Sequence, residues 1–209
     1  ATSAATALAT RLAAKIKTAT PALSMLSVRG MMVHSAKWTP EMIRIGNIKD
    51  IIPLCGYGVP DEETALFSNE KYATFIFENE LIPYWEKDGS NTYNQLHFYD
   101  LPWPTEVLEQ MGEENVKIRI TLSYYVKPSP GYAGRSNKYR YPSATLHFDL
   151  KSASESMEEF LCRRNKSEGE KRTDNDTNRW TIKQQRREQG TVQSDWIECT
   201  AAELASCEI

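Results

Sequence analysis

The spacing of apolar residues changes near residue 70, from one side chain every three or four positions to one every second position. A chain with these two periods in separate stretches has to build helices first and strands afterwards, each with a face to bury. In the first stretch Ala5, Leu8, Ala9, Leu12, Ala13 and Ile16 make an i, i+3, i+4 stripe, which predicts a helix over 3–20 that stops at Pro21. A second helix is expected over about 22–36, through Leu23, Leu26, Met31 and Met32. Gly30 inside it costs roughly 1 kcal/mol relative to alanine, which close packing against a neighbour would justify. Short helices are expected from Pro40 and over about 47–53. Next, "GYGVPD", Gly56 to Asp61, reads as a tight turn, and "DEETALFS" as a short helix capped by Asp61.

Beyond residue 70, "KYATFIFENELIP", "YNQLHFYDLP" and "SATLHFDLK" are aromatic and β-branched and are expected to be strands. The clearest alternation is "VKIRITLSYYV". Val116, Ile118, Ile120, Leu122, Tyr124 and Val126 share one face, and Lys117, Arg119, Thr121, Ser123 and Tyr125 the other, as in a half-buried antiparallel strand. Helices are expected at Thr105 to Met111 and from Ser154 to about Arg164, and "SDWIECTAAEL" as a strand followed by a helical turn. The fold class expected is therefore α+β. An all-helical segment over 1–69 precedes a jelly-roll-like antiparallel β-sandwich over 70–209 with two inserted helices. Lys127 to Pro142 reads as a long hairpin connection, solvated or partner-binding, and the charged stretch 166–178 as a solvated loop.

The formal net charge of −3 leaves no surplus of Lys and Arg for a phosphate backbone, so nucleic acid is not an expected partner. No apolar run approaches the ~20 residues of a membrane span. Cys55, Cys162, Cys199 and Cys207 are scattered without a C-x-x-C pair, which argues for reduced thiols, a cytoplasmic setting and no zinc site, with one or two long-range disulfides as the alternative. No metal-ligand spacing, dinucleotide fingerprint or phosphate loop is present, so neither metal nor cofactor is expected. His34 reads as a helix-face residue near the edge of the core, and His97 and His147 as surface or cross-strand residues.

The candidate for chemistry is Ser3. A serine in the first turn of an alanine-rich helix is ordinarily an N-cap. It can also be a nucleophile, because the helix N-terminus favours developing negative charge. "TSAATALATRLAAKI" resembles the nucleophile motif of subtilisin-like serine proteases, Gly-Thr-Ser-x-Ala followed by a long, small-residue helix. "SVRGMMVHSAKW" stands where that family has its next helix, and "GYGVPD" where it has a Gly-x-Gly turn closing the catalytic domain. Together with "VHSAKWTPEM", "HFYDLPWP", "ITLSYYVKPSPG" and "SDWIECTAAEL", the chain resembles a bacterial branch of the subtilases with a β-rich C-terminal module, many of them encoded beside an AAA-type ATPase. Ala1 stands where the motif has glycine, and the usual proline near Ala7 is missing.

The resemblance implies a serine endopeptidase with Ser3 as nucleophile, cut at the nucleophile helix, whose triad Asp and His lie upstream; alone, the chain is expected to be inactive. Implied partners are a protein or peptide substrate and an AAA-type ATPase. The alternative is a non-enzymatic binding module. The stripe through Leu8, Leu12 and Ile16 also suggests packing on the β-rich part or, preferentially, a homodimer through residues 3–36.

Overall fold

The computed structural model describes residues 2–66, 72–82, 84–87, 90–93, 95–126, 145–151, 155–165 and 179–205. The expected connection Lys127 to Pro142 and the charged stretch 166–178 lie outside the described residues.

The helical half follows the apolar periodicity. Helix α1, Thr2–Ala19, is rich in alanine, the best helix former. It closes at Thr20, whose N–H donates to Ile16 O, and the Lys17 ammonium binds the carbonyls of Pro21 and Leu23 just past the helix end. Helix α2, Met25–His34, starts at Ser24, whose hydroxyl accepts from Ser27 N–H. Leu12 and Ile16 of α1 bury against Leu23, Val28 and Ala65. An isolated 18-residue helix is marginal in water, so this contact, at roughly 1.5–3 kcal/mol per large apolar side chain, stabilises the C-terminal half of α1. Residues 2–11 are exposed throughout, Leu8 at 65%. The stripe is thus split: Leu12 and Ile16 are buried within the chain and Leu8 is not.

Three short helices complete this half: α3, Pro40–Ile43, capped by Thr39; α4, Ile48–Cys55, capped by Asn47; and α5, Glu62–Leu66, where Asp61 accepts from Thr64 N–H at 2.8 Å. Gly58, with φ +98°, lies between α4 and α5 and lets Val59 pair with Lys37 in an isolated bridge.

The second half holds a short hairpin, β1 (Tyr84–Lys87) with β2 (Ser90–Tyr93), and a longer antiparallel ladder, β3 (Asn115–Ser123) with β4 (Val192–Thr200). The ladder registers Arg119 on Trp196, Ile120 on Asp195 and Thr121 on Ser194. Around it lie α6 (Thr105–Met111), α7 (Met157–Asn165), α8 (Gln184–Arg187) and α9 (Ala201–Ala205). Helices α7 and α9 both begin with reciprocal capping, Ser156 with Glu159 and Thr200 with Glu203.

The chain is α+β, and the two expected inserted helices are present as α6 and α7. The described residues form two two-stranded ladders and show no sandwich and no jelly roll. Segments 73–82, 95–104 and 145–151, expected as strands, belong to neither ladder and carry no regular secondary structure. Alternation states which side chains share a face; a backbone partner in register is a separate, non-local condition.

Both faces of the long ladder are covered. The apolar face meets Leu108, Ala201 and Leu204 at one end, beside Val116 and Ile118. Beside Ile118 and Ile120 it meets Leu150, Trp180 and Phe148. The polar face, expected to meet water, instead carries α2. Gly30 is buried there, and a Cβ on it would lie 3.3 Å from Ser123 Cβ, so the close packing expected of this glycine is found.

Candidate functional site

Ser3 is the second residue of α1 and is exposed. The first turn of the helix holds no acidic residue, and its leading N–H groups have no intrahelical acceptor. Thr6 and Thr10 turn their hydroxyls back onto the carbonyls of Thr2 and Thr6. Among the described residues no side chain is hydrogen-bonded to Ser3 Oγ. The site therefore offers a free hydroxyl beside donors aligned with a helix dipole, a setting suited to stabilising an oxyanion. Among the described residues no base is hydrogen-bonded to it, and without one a serine hydroxyl is a weak nucleophile.

His147 Nδ1 lies 2.9 Å from a Glu188 carboxylate oxygen, and His97 is half-buried in the segment 95–104. His34, at the C-terminal end of α2, is hydrogen-bonded through Nδ1 to Thr121 Oγ1 at 3.0 Å. Thr121 Oγ1 lies 2.8 Å from Ser194 Oγ, which also accepts from Arg119 Nε at 2.9 Å. Arg119 Nη1 donates to Ala36 O, just beyond α2. The outer edge of β4 joins the network, since Ser194 N–H donates to Tyr57 Oη at 3.1 Å. Tyr57 comes from "GYGVPD", so the turn and α2 are tied to the same ladder rung.

A histidine, a threonine and a serine in line look like a proton relay. Ser194 is fully buried, however, so no substrate carbonyl reaches it. Burial, and then the Arg119 charge, lower the His34 pKa from 6.5 to about 4, and the ring is neutral at pH 7. Burial pushes the Tyr57 hydroxyl up and brings the Arg119 guanidinium down to about 10, which leaves Tyr57 neutral and Arg119 charged. The network is a polar clamp between the helical half and the ladder. Arg29 extends it from α2, with Nε on Ser123 Oγ at 3.1 Å and Nη2 on Tyr124 O at 2.8 Å.

The clamp carries a pH dependence. The folded pKa of His34 lies below its unfolded value, so its contribution is complete above pH 6.5 and is lost as the pH falls toward 4. Water still reaches part of the ring, so we expect about 2 kcal/mol to disappear between pH 7.5 and 4.5. Urea unfolding at the two pH values measures it, with His34→Gln showing a correspondingly smaller loss. Equal losses in both chains would mean that His34 does not report on the clamp.

Residues 1–75 match the model of the subtilase family, Peptidase S8. The match takes in α1 through α5 and stops short of both ladders. It relates the subtilase-like region to serine peptidases and implies hydrolase chemistry there. No curated protein matches the chain, and no solved structure does.

Arg119, Thr121, Ser194, Tyr57 and Asp195 were not singled out as site residues from the sequence. The available signal was "QSDW", where polar residues continue into a strand whose neighbours are apolar on both sides of the pleat. No described helix is long and apolar enough to cross a membrane. Cys55, Cys162 and Cys199 form no disulfide, and no group of potential metal ligands gathers among the described residues.

Proposed function

We propose that the helices over 2–66 are the nucleophile-bearing end of a subtilisin-like serine endopeptidase, with Ser3 as nucleophile. The observation that carries this reading is the subtilase match over residues 1–75, which includes the exposed Ser3 in the first turn of α1. Ser3 Oγ attacks the scissile carbonyl, and the leading N–H groups of α1 contribute to holding the oxyanion. A histidine supplied from elsewhere takes up the serine proton, held in the right tautomer by an aspartate that stays ionised. The exposed half of α1, with Ala5, Leu8 and Ala9, is the surface on which such a body would pack. In this reading 1–69 belongs to the catalytic domain and 70–209 is its accessory module.

The 209-residue chain alone is expected to resist an active-site fluorophosphonate. A polypeptide that adds segments bearing the aspartate and histidine should be labelled at Ser3, and Ser3→Ala should abolish the labelling. Stoichiometric labelling of the short chain, or none of the longer one, would overturn these roles.

A second reading is a binding module that recruits a protein substrate or an AAA-type ATPase. What favours it is the set of large apolar side chains exposed in 73–82 and 95–104, including Phe75, Phe77 and Phe98.

A further inference from the structure

Each half of the chain has a core of its own. Leu12, Ile16, Leu23, Val28 and Ala65 cluster within the helical half. Leu108, Ala201 and Leu204, and Leu150, Trp180 and Ile197, cluster on the ladder. None of these clusters takes a buried residue from the other half. The halves meet instead along a polar seam. Arg29 reaches Ser123 and Tyr124, the Ser123 hydroxyl donates to Leu26 O at 2.7 Å, Arg119 donates to Ala36 O, and Ser194 N–H donates to Tyr57 Oη. Trp38 against Trp196, with ring centroids 5.3 Å apart, is an apolar contact across it. Parting such a seam uncovers little apolar surface and leaves both cores intact.

Hydrogen-bond direction makes His34 the end of a chain. Arg119 Nε can only donate, so Ser194 Oγ accepts from it at 2.9 Å. The Ser194 proton then serves Thr121 Oγ1 at 2.8 Å, and the Thr121 proton serves the lone pair of His34 Nδ1 at 3.0 Å. A proton on Nδ1 removes that terminal acceptor. The Thr121 hydroxyl has to turn back toward Ser194, whose own proton loses its acceptor at a fully buried position.

Charge acts in the same direction. On the seam Arg29 and Arg119 are hydrogen-bonded to neutral oxygens and form no ion pair among the described residues, and Arg119 Nη2 is buried without a partner. The other charges on the elements packed against α2 are held elsewhere. On α1 and α5, Arg11 and Lys15 pair with Glu62, Lys17 binds carbonyls, and Glu63 is exposed. On β3 and β4, Lys117 pairs with Glu198, and Asp195 lies on the opposite face, in register with Ile120. Lys37 pairs with Asp61, and Glu78 binds Ser24 and Ser27 at the far end of α2. Arg119 is the charge that acts on the His34 ring. A protonated ring would be a third cation in a seam without a carboxylate.

We propose that this seam is an acid-operated latch: protonation of His34 parts α2 from the ladder while each half keeps its own core. The ring resists ionisation only while the seam is closed. The open form therefore gains as the pH falls below 6.5, toward the value of about 4 that the closed form imposes. The latch stands whether or not Ser3 is a nucleophile.

The test is native-state amide exchange of the 209-residue chain at pH 7.5 and 4.5, corrected for intrinsic rates, in urea below the unfolding transition. Ser194 N–H crosses the seam to Tyr57, whereas Ile118 and Ile120 register on Ile197 and Asp195 within the ladder. A partial opening exposes less surface than unfolding, so exchange at Ser194 should depend on urea much less steeply than at Ile118 and Ile120. Its protection should fall about 30-fold between the two pH values. In His34→Gln, whose side chain stays neutral and can still accept from Thr121, the fall should be under about threefold. Titration of the His34 ring by nuclear magnetic resonance in the unsubstituted chain is the second measurement, and it should ionise well below pH 6.5. A ring that titrates at its ordinary value gains nothing on opening and would overturn the proposal. So would equal urea dependence at Ser194 and the ladder amides at pH 4.5, because the chain then opens only by unfolding as a whole. Constant protection at Ser194, or an undiminished fall in His34→Gln, would also overturn it.

Discussion

Asp195→Ala is expected to lower the unfolding free energy by about 3–5 kcal/mol, the largest effect of any single substitution considered. Asp195 is fully buried on the apolar side of β4. Its Oδ1 accepts from Ile182 N–H at 2.8 Å and Trp196 N–H at 2.9 Å, and its Oδ2 accepts from Lys183 N–H at 3.0 Å. Arg187 Nη1 lies 3.5 Å from Oδ2, and Arg187 is only 4% exposed, its guanidinium between the Phe148 and Trp180 rings. Alanine would strand three donors and leave a buried cation with Glu188 as its remaining acidic partner. Burial pushes the Asp195 carboxyl above the usual carboxylate range, against the pull of the three N–H groups and Arg187. Because the folded pKa is raised, this group's own contribution declines as the pH rises through the window between its unfolded and folded values. Urea unfolding at pH 7 measures the substitution. Asp195→Asn separates shape from charge: its amide oxygen can keep the two Oδ1 bonds, but its NH₂ faces Lys183 N–H and Arg187. It should fall between wild type and alanine. A loss under 1 kcal/mol for alanine would show that the buried charges do not depend on one another.

Gly58→Ala is expected to cost about 3 kcal/mol or more, and to act at a distance. A Cβ at this position would sit 2.2 Å from Lys37 O and 2.9 Å from Trp38 N, both backbone atoms, and φ is +98°, where side chains are rarely tolerated. The neighbouring backbone has to move, and it holds the two 2.9 Å bonds between Lys37 and Val59. Tyr57, one residue away, is the acceptor for Ser194 N–H on the edge of β4. The expected result is a lower thermal midpoint together with faster amide exchange at Ser194. Gly56→Ala is the comparison: at φ +57° and ψ −134° its backbone is also one that side chains rarely adopt, but a Cβ there meets nothing within 4 Å, so its cost should be the smaller, about 2 kcal/mol from backbone strain alone. Similar costs for the two would place the effect in φ alone rather than in the close approach to Lys37.

The helical half was legible because its signals are local. The alanine-rich run of α1, the cap Asp61 and the glycines of "GYGVPD" each act within a few residues, and the structure forms the helices and turn they predict. Strand β3 was legible for the same reason, since alternation is written into nine consecutive residues. The likeness of "TSAATALATRLAAKI" to a subtilase motif was equally local, and the family match covers that region, residues 1–75.

What the sequence by itself determined, then, is where the chain becomes helical, where it becomes extended, and which side chains share a face. What covers each face was decided only in three dimensions. Arg119, Thr121 and Ser123 look like a solvent face because charged and hydroxyl side chains usually are one. They become an interior face here because α2 brings carbonyls, Arg29 and the neutral ring of His34 to meet them. Asp195 likewise lies among apolar neighbours because three backbone donors and Arg187, all from residues 182–196, converge on it. Polar burial is permitted by partners, and partners distant in sequence leave no periodic trace. The strands expected elsewhere were misjudged for the same reason: an extended backbone is a local property, whereas its pairing in a sheet requires a second backbone that only the tertiary structure supplies.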